Sequence, residues 1–183
     1  MTEPTVTLRR VSPADAETIH SWRSDPAARR FQPLRQTSIA GLREMLARRA
    51  ARPIDPTIEG DIQWLILAAG IPVGWISLEI VSREHRLGTV GYTIAEPYWG
   101  NGYASTGLRA MLPLALAPEA ADLWRLEAVA AVTNAASRRV LAKAGFQEEG
   151  IAREYLQING ARVDHVRVAL LRPDWAASRR SLG

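Results

Sequence analysis

Cysteine is missing from all 183 residues, which removes disulfides, thiolate nucleophiles and cysteine-bound metals together. Lysine is nearly missing too: Lys143 is the only one. The pI of about 10.1 therefore reflects arginine's titration more than an extreme charge, since the formal net charge is only +4. There is no long hydrophobic run. The most apolar stretch, 64–78, is shorter than the roughly 20 residues a bilayer requires and is interrupted by Gly70, Pro72 and Gly74, so no membrane partner is expected. The polar start MTEPTVTLRR lacks the apolar segment of a signal peptide and favours the cytoplasm. His20, His85 and His165 are isolated, no pair has metal-ligand spacing, and no metal is expected. The arginine pairs, such as Arg29-Arg30 and Arg48-Arg49, are spread among acids with no aromatic-interleaved stripe. That argues against nucleic acid, while a mildly basic surface suits an anionic ligand.

Hydrophobic residues at 47% and charged residues at 23% fit one globular domain over 1–183, with no internal repeat or linker. Residues 5–10 alternate as a first strand. Ser12-Pro13 starts a helix through residue 24, a second helix is expected over 38–51, and the proline-bearing links around 31–34 and 53–60 are loops. This region could form a wall or lid over a substrate. Residues 63–69 and 71–81 read as a hairpin through Gly70, with 87–95 as a third antiparallel strand. Residues 124–132 read as a strand and 134–144 as a helix closed by Gly145. Residues 146–158 and 162–171 are strands joined through Asn159-Gly160, a strong hairpin signal.

The informative stretch is 96–110, EPYWGNGYASTGLRA. A strand ending at Ala95 breaks at Pro97, passes Gly100 and Gly102, and gives way to helical spacing at Ala104, Leu108, Met111, Leu112 and Ala115. Pro113 should bend or stop this helix within a turn. A glycine turn into a helix leaves N–H groups unpaired at the positive end of the helix dipole, where phosphate oxygens bind readily. The order of elements gives an α/β sheet with this turn at the C-terminal end of its strand, a common ligand position.

Trp99-Gly100-Asn101-Gly102-Tyr103-Ala104, followed by the run from Asn134 to Phe146, then Glu149-Gly150, Arg153-Glu154-Tyr155, Asn159-Gly160 and Asp164, resembles the GNAT superfamily of N-acetyltransferases. More narrowly it resembles the RimJ/RimL-like branch. Trp99 departs from the glutamine or arginine of the broader pattern and is in keeping with that branch. The resemblance implies a mixed, mostly antiparallel central sheet flanked by helices and splayed at an acetyl-CoA site. It implies acetyl-CoA as donor substrate and an amine acceptor, either a peptide N-terminus or a small molecule, with a homodimer left open. It places Gly100, Asn101, Gly102, Tyr103, Ala104 and Ser105 around the CoA pyrophosphate, with Trp99 a further cofactor-binding candidate. It pairs the backbone of Thr93, Ile94 and Ala95 with the pantetheine arm, one N–H aimed at the thioester carbonyl. Asn134, which also sits where a helix cap belongs, would bond the pantetheine arm. Ser137 would protonate the departing thiolate, against the alternative of an ordinary first-turn serine. Arg138, Arg139 and Lys143 are candidates for the CoA 3′-phosphate, and Tyr155 for the acceptor wall.

The base is less readily placed. Many relatives carry glutamate two positions before the strand's Gly-Tyr pair, where this chain has Thr89. Glu79, Glu127, Glu154 and Asp164 are the remaining strand-borne carboxylates, and proximity alone supplies much acceleration without a dedicated base. The leading expectation is an acetyl-CoA-dependent N-acetyltransferase acting by direct attack through a tetrahedral intermediate. The alternative is a non-catalytic acyl-CoA sensor.

Overall fold

Seven strands form one sheet in the computed structural model, which describes residues 4–34, 36–55 and 57–180. They are β1 (Val6–Arg10), β2 (Gly60–Ala68), β3 (Ile71–Ser82), β4 (Leu87–Ile94), β5 (Arg125–Ala131), β6 (Gln147–Ile158) and β7 (Ala161–Leu171), in the spatial order β1-β2-β3-β4-β5-β7-β6. Every neighbouring pair is antiparallel except β4 and β5. Two tight turns fix much of this register. Ala69-Gly70 and Asn159-Gly160 have positive φ at both positions, the type I′ geometry whose twist matches that of the flanking strands.

Helix α4 (Tyr103–Leu116) packs Leu108, Met111, Leu112 and Ala115 against Ile62, Ile66, Ile76, Leu78 and Val90 of the sheet. Pro113 lies in its last turn and the helix ends at Leu116, as its missing N–H and fixed φ require. Helix α5 (Ala135–Lys143) adds Leu141 to the same core. It ends in a Schellman arrangement: Gly145 has φ of 94°, its N–H bonds Ala142 O and the Phe146 N–H bonds Leu141 O. The opposite face, over β2 and β3, is covered by α1 (Ala16–Ser24) and α3 (Ile39–Ala51), whose Ile19, Leu42 and Leu46 enclose Leu65 and Trp75. A short helix α2 (Pro26–Arg29) and the terminal helix α6 (Arg172–Arg180) complete the fold. Neither was expected, and β2 starts at Gly60, three residues before the expected start at residue 63.

The feature that positions the site is where β4 and β5 part. Their parallel ladder has only the pairs Leu87↔Arg125, Gly88↔Leu126 and Thr89↔Glu127. Beyond it β4 stays paired with β3 as far as Ile94, and β5 stays paired with β7 as far as Ala131. Each strand is held on its outer edge, and a gap opens between them. At its mouth β3 and β4 run unusually close, because a Cβ on Gly74 would collide with the Thr93 carbonyl oxygen.

Candidate active site

The strand alternation decides which backbone groups face the gap. The Ala95 N–H bonds Val73 O at 2.9 Å, so Ala95, Thr93 and Gly91 turn their polar groups to β3, while Ile94, Tyr92 and Val90 turn theirs to the gap. Two side chains occupy carbonyls there: Trp99 Nε1 donates to Ile94 O at 2.7 Å and Gln32 Nε2 to Tyr92 O at 2.9 Å. Of the Thr93–Ala95 backbone expected to serve a pantetheine arm, only the N–H of Ile94 faces the gap, joined by that of Tyr92.

A cavity of about 330 Å³ opens here, lined by Thr93, Ile94, Trp99, Gly100, Gly102, Tyr103, Ala104, Ser105, Asn134, Ser137, Arg139 and Lys143, with Ala27, Ala28, Phe31 and Gln32 forming one wall. The sequence-expected residues are thus brought together from the glycine turn and α5. Two are not on its lining. Asn101 folds back, its Nδ2 donating to Tyr98 O and Trp99 O at 3.1 Å, and Ala95 is buried with its N–H spent on Val73.

The turn is built for an anion. Gly100 and Gly102 have φ of 78° and 80°, a conformation that glycine adopts without penalty, and a Cβ at Gly100 would meet nothing within 4 Å. The first helical bond back into the turn is from the Thr106 N–H to Gly102 O at 3.1 Å. No side chain caps the helix, so the N–H groups of Tyr103, Ala104 and Ser105 are available at its positive end.

At the other side of the gap, Asn134 Oδ1 caps α5 by accepting the Ser137 N–H at 3.1 Å. This satisfies the capping expectation and leaves its amide nitrogen without a partner among the described residues. Ser137 is not merely satisfied by its own backbone. Its Oγ lies 2.9 Å from the Tyr92 hydroxyl, which also reaches Ser137 O at 3.2 Å. Burial pushes the Tyr92 phenol up to about 12, opposed by its Ser137 hydrogen bond, so it stays a proton donor across the physiological range. When Tyr92 donates to Oγ, the serine's own hydrogen is freed for another acceptor.

Tyr92 and Gln32 are the members that sequence reasoning missed. Tyr92 belongs to the Gly-Tyr pair used there only as a landmark, and its role depends on α5 packing against β4. Gln32 lies in the loop after α2 and clamps β4 twice, accepting from Thr93 Oγ1 at 2.9 Å as well as donating to Tyr92 O. No local pattern marks it. Among the other candidates, Arg138 is engaged by Glu148 at 2.9 Å, whereas Arg139 and Lys143 line the cavity. Asp164 accepts the Glu154 N–H at 2.8 Å and both serve the β6–β7 bulge. His165 is buried with Nδ1 2.9 Å from Val163 O. Among the described residues no group of His, Asp and Glu is arranged to hold a metal ion, and no helix is long and apolar enough to cross a membrane.

A sheet parted at one parallel pair, with an uncapped helix N-terminus at the mouth of the gap, makes a site for an anionic ligand. A family model described as an acetyltransferase (GNAT) domain matches residues 5–147, and the chain belongs to that family: it is an acetyl-CoA-dependent acetyltransferase. The uncharacterized N-acetyltransferase YoaA of Bacillus subtilis is 30% identical over 169 residues, 91% of this chain and 93% of the relative. The ribosomal protein uS5-alanine N-acetyltransferase of Escherichia coli is 34% identical over 90 residues, 49% of this chain and 45% of the relative. Among solved structures, Mycobacterium smegmatis RimJ in complex with CoA-disulfide matches with a TM-score of 0.77 at 25% identity, covering 96% of this chain and 90% of that one. Spermidine N-acetyltransferase from Vibrio cholerae in complex with CoA and spermine shares the fold, with a TM-score of 0.80 at 21% identity over 93% and 98% of the two chains.

Proposed function

We propose that this chain transfers the acetyl group of acetyl-CoA to a primary amine, with the α-amino group of a peptide as the leading acceptor. The observation that carries the reading is the single cavity in which the uncapped N-terminus of α4, the gap-facing edge of β4 and Ser137 meet. In this reading the N–H groups of Tyr103, Ala104 and Ser105 hold the pyrophosphate, helped by the open space at Gly100. Arg139 and Lys143 face the 3′-phosphate, and Asn134 offers its free amide to the pantetheine arm. The gap-facing N–H of Ile94 or Tyr92 polarises the thioester carbonyl and stabilises the tetrahedral oxyanion, a donor role worth about 100-fold or more in rate.

Ser137 donates to the departing thiolate while Tyr92 donates to Ser137. A serine hydroxyl is a poor acid, so the gain comes from hydrogen bonding to developing charge. The peptide acceptor is favoured by the likeness to the uS5-alanine enzyme. The test is release of free thiol from acetyl-CoA with a peptide bearing an N-terminal alanine, with the same peptide blocked at its N-terminus, and with spermidine. Thiol release with the free peptide and none with the blocked one supports the proposal. Turnover with spermidine alone moves the acceptor to small polyamines, and CoA binding without turnover of any amine overturns the catalytic reading.

A further inference from the structure

A second cavity, of about 530 Å³, lies on the other face of the sheet along β4 and β5, lined by Ser77, Glu79, Thr89, Gly91, Glu127, Val129 and Tyr155 among others. Residues 89–91 of β4 line this one and residues 92–94 line the first, so one strand edge runs from cavity to cavity through the gap. An amine that attacks the thioester from this side arrives as an ammonium ion and must shed a proton before its lone pair is available.

Four carboxylates face this cavity: Asp61, Glu79, Glu127 and Glu149. Asp61 lies 2.9 Å from Arg49, Glu127 is 2.7 Å from Arg125 and 3.7 Å from Arg167, and Glu149 is held by both terminal nitrogens of Arg125. A guanidinium partner occupies carboxylate oxygens that would otherwise be open to an incoming amine, and Arg125 also holds the Glu149 carboxyl below its usual range. Glu79 is different: among the described residues it has no ion pair, and its contact is the Thr89 hydroxyl, Oγ1 to Oε2 3.4 Å.

Its position fits the task. Glu79 pairs with Thr89, the last β4 residue in the ladder to β5, and the next pair on the same face toward the gap is Ser77 with Gly91. Ser77 Oγ donates to Gly91 O at 3.3 Å. The glycine at 91 is required by neither conformation nor packing: its φ is not positive, and a Cβ there would meet only Ser77 Oγ, at an ordinary 3.5 Å. A longer side chain would fill the passage between the cavities.

We infer that Glu79 is the proton acceptor for the incoming amine, working directly or across a bridging water beside the Thr89 and Ser77 hydroxyls, and that Gly91 keeps the passage open. The inference rests on the amine-acetylation reading above. One ammonium proton passes to the Glu79 carboxylate and then to solvent. The nitrogen lone pair forms the C–N bond, the tetrahedral intermediate breaks its C–S bond, and the second nitrogen proton balances the one taken up by the thiolate. The products are amide, free CoA thiol and one released proton.

The test is the pH profile of kcat/KM for Glu79→Gln, using whichever amine of the panel above turns over fastest, with CoA affinity measured in parallel. The expected result is a loss of about 100-fold near neutrality that shrinks as pH rises past the amine's own pKa, about 8 for a peptide N-terminus, with CoA affinity unchanged. Gly91→Val should raise the acceptor KM and leave CoA affinity alone. A Glu79→Gln profile that overlays the wild type, or a deficit equal at every pH, overturns the role of Glu79; wild-type acceptor kinetics in Gly91→Val overturn the passage. Absence of amine turnover by the wild-type chain overturns instead the reading on which both rest.

Discussion

The two cavities on either side of the β4–β5 gap are made of different material. The one proposed for the donor owes its anion-binding character to backbone: uncapped N–H groups of α4, positive-φ glycines and the gap-facing edge of β4, beside the capped start of α5. The one proposed for the acceptor is side chains on strands, with charges of both signs and a mixed set of ion pairs. A backbone site recognises what is constant in a ligand, here phosphate oxygens, and depends on chain geometry. A side-chain site can be rewritten by substitution without disturbing the fold. On the proposed reading, the donor is set by chain geometry and the acceptor by side chains that the fold leaves free.

The largest effect should come from breaking the backbone half. Gly102→Glu places bulk, negative charge and a side chain unsuited to φ of 80° against the phosphate cradle. CoA affinity is expected to fall by at least about 100-fold, equivalent to nearly 3 kcal/mol. Isothermal titration on the folded variant measures it, and unchanged affinity would remove the turn from the donor site.

Smaller, and sharper, is the link across the gap. Ser137→Ala should lower kcat by about 10- to 100-fold, the worth of a hydrogen bond to a charged group, with acetyl-CoA affinity nearly unchanged. Tyr92→Phe should cost less, roughly 5-fold if its hydroxyl acts through a single hydrogen bond, and should cost nothing further once Ser137 is alanine. Additive losses in the double variant would show that the two act separately. Tyr92 also carries a signature in stability. Its folded pKa is raised to about 12 by burial, so stability present below the ordinary phenol pKa of about 10 is lost as pH rises from there toward 12. Phenylalanine at 92 should flatten that alkaline loss in a series of thermal melts.

The same division explains what could be read from residue order. Type I′ turns, the Asn134 cap, the Gly145 Schellman end and the glycine turn are local chemistry, complete within a few neighbours, and the structure has each of these where the sequence puts it. The residues that escaped notice depend on contacts between distant parts of the chain. Gln32 reaches Thr93 across 61 positions and Tyr92 reaches Ser137 across 45, and neither leaves a periodicity to find. Helix α2 is only four residues long, too short to generate a helical repeat. Glu79 was visible as one of several strand carboxylates. What separates it from Glu127 is the pair of arginines, Arg125 and Arg167, that lie against that residue, while Glu154 and Asp164 serve the β6–β7 bulge and are not on the second cavity's lining.

The weakest test of the contrast lies along α5, where two cations five residues apart have different fates. Lys143 lines the donor cavity, while Arg138 is turned to Glu148 with Nη2 2.9 Å away. An exposed ammonium opposite a phosphate is worth at most about 1 kcal/mol, so Lys143→Ala should weaken CoA binding by roughly 5-fold in a way that vanishes at high salt. Arg138→Ala should change CoA affinity less than about 2-fold at any salt, because its charge is already answered by a carboxylate outside the cavity. Dephospho-CoA makes the comparison decisive: with the 3′-phosphate gone, the Lys143 variant and the wild type should bind alike. A persistent difference would place Lys143 against another part of the donor.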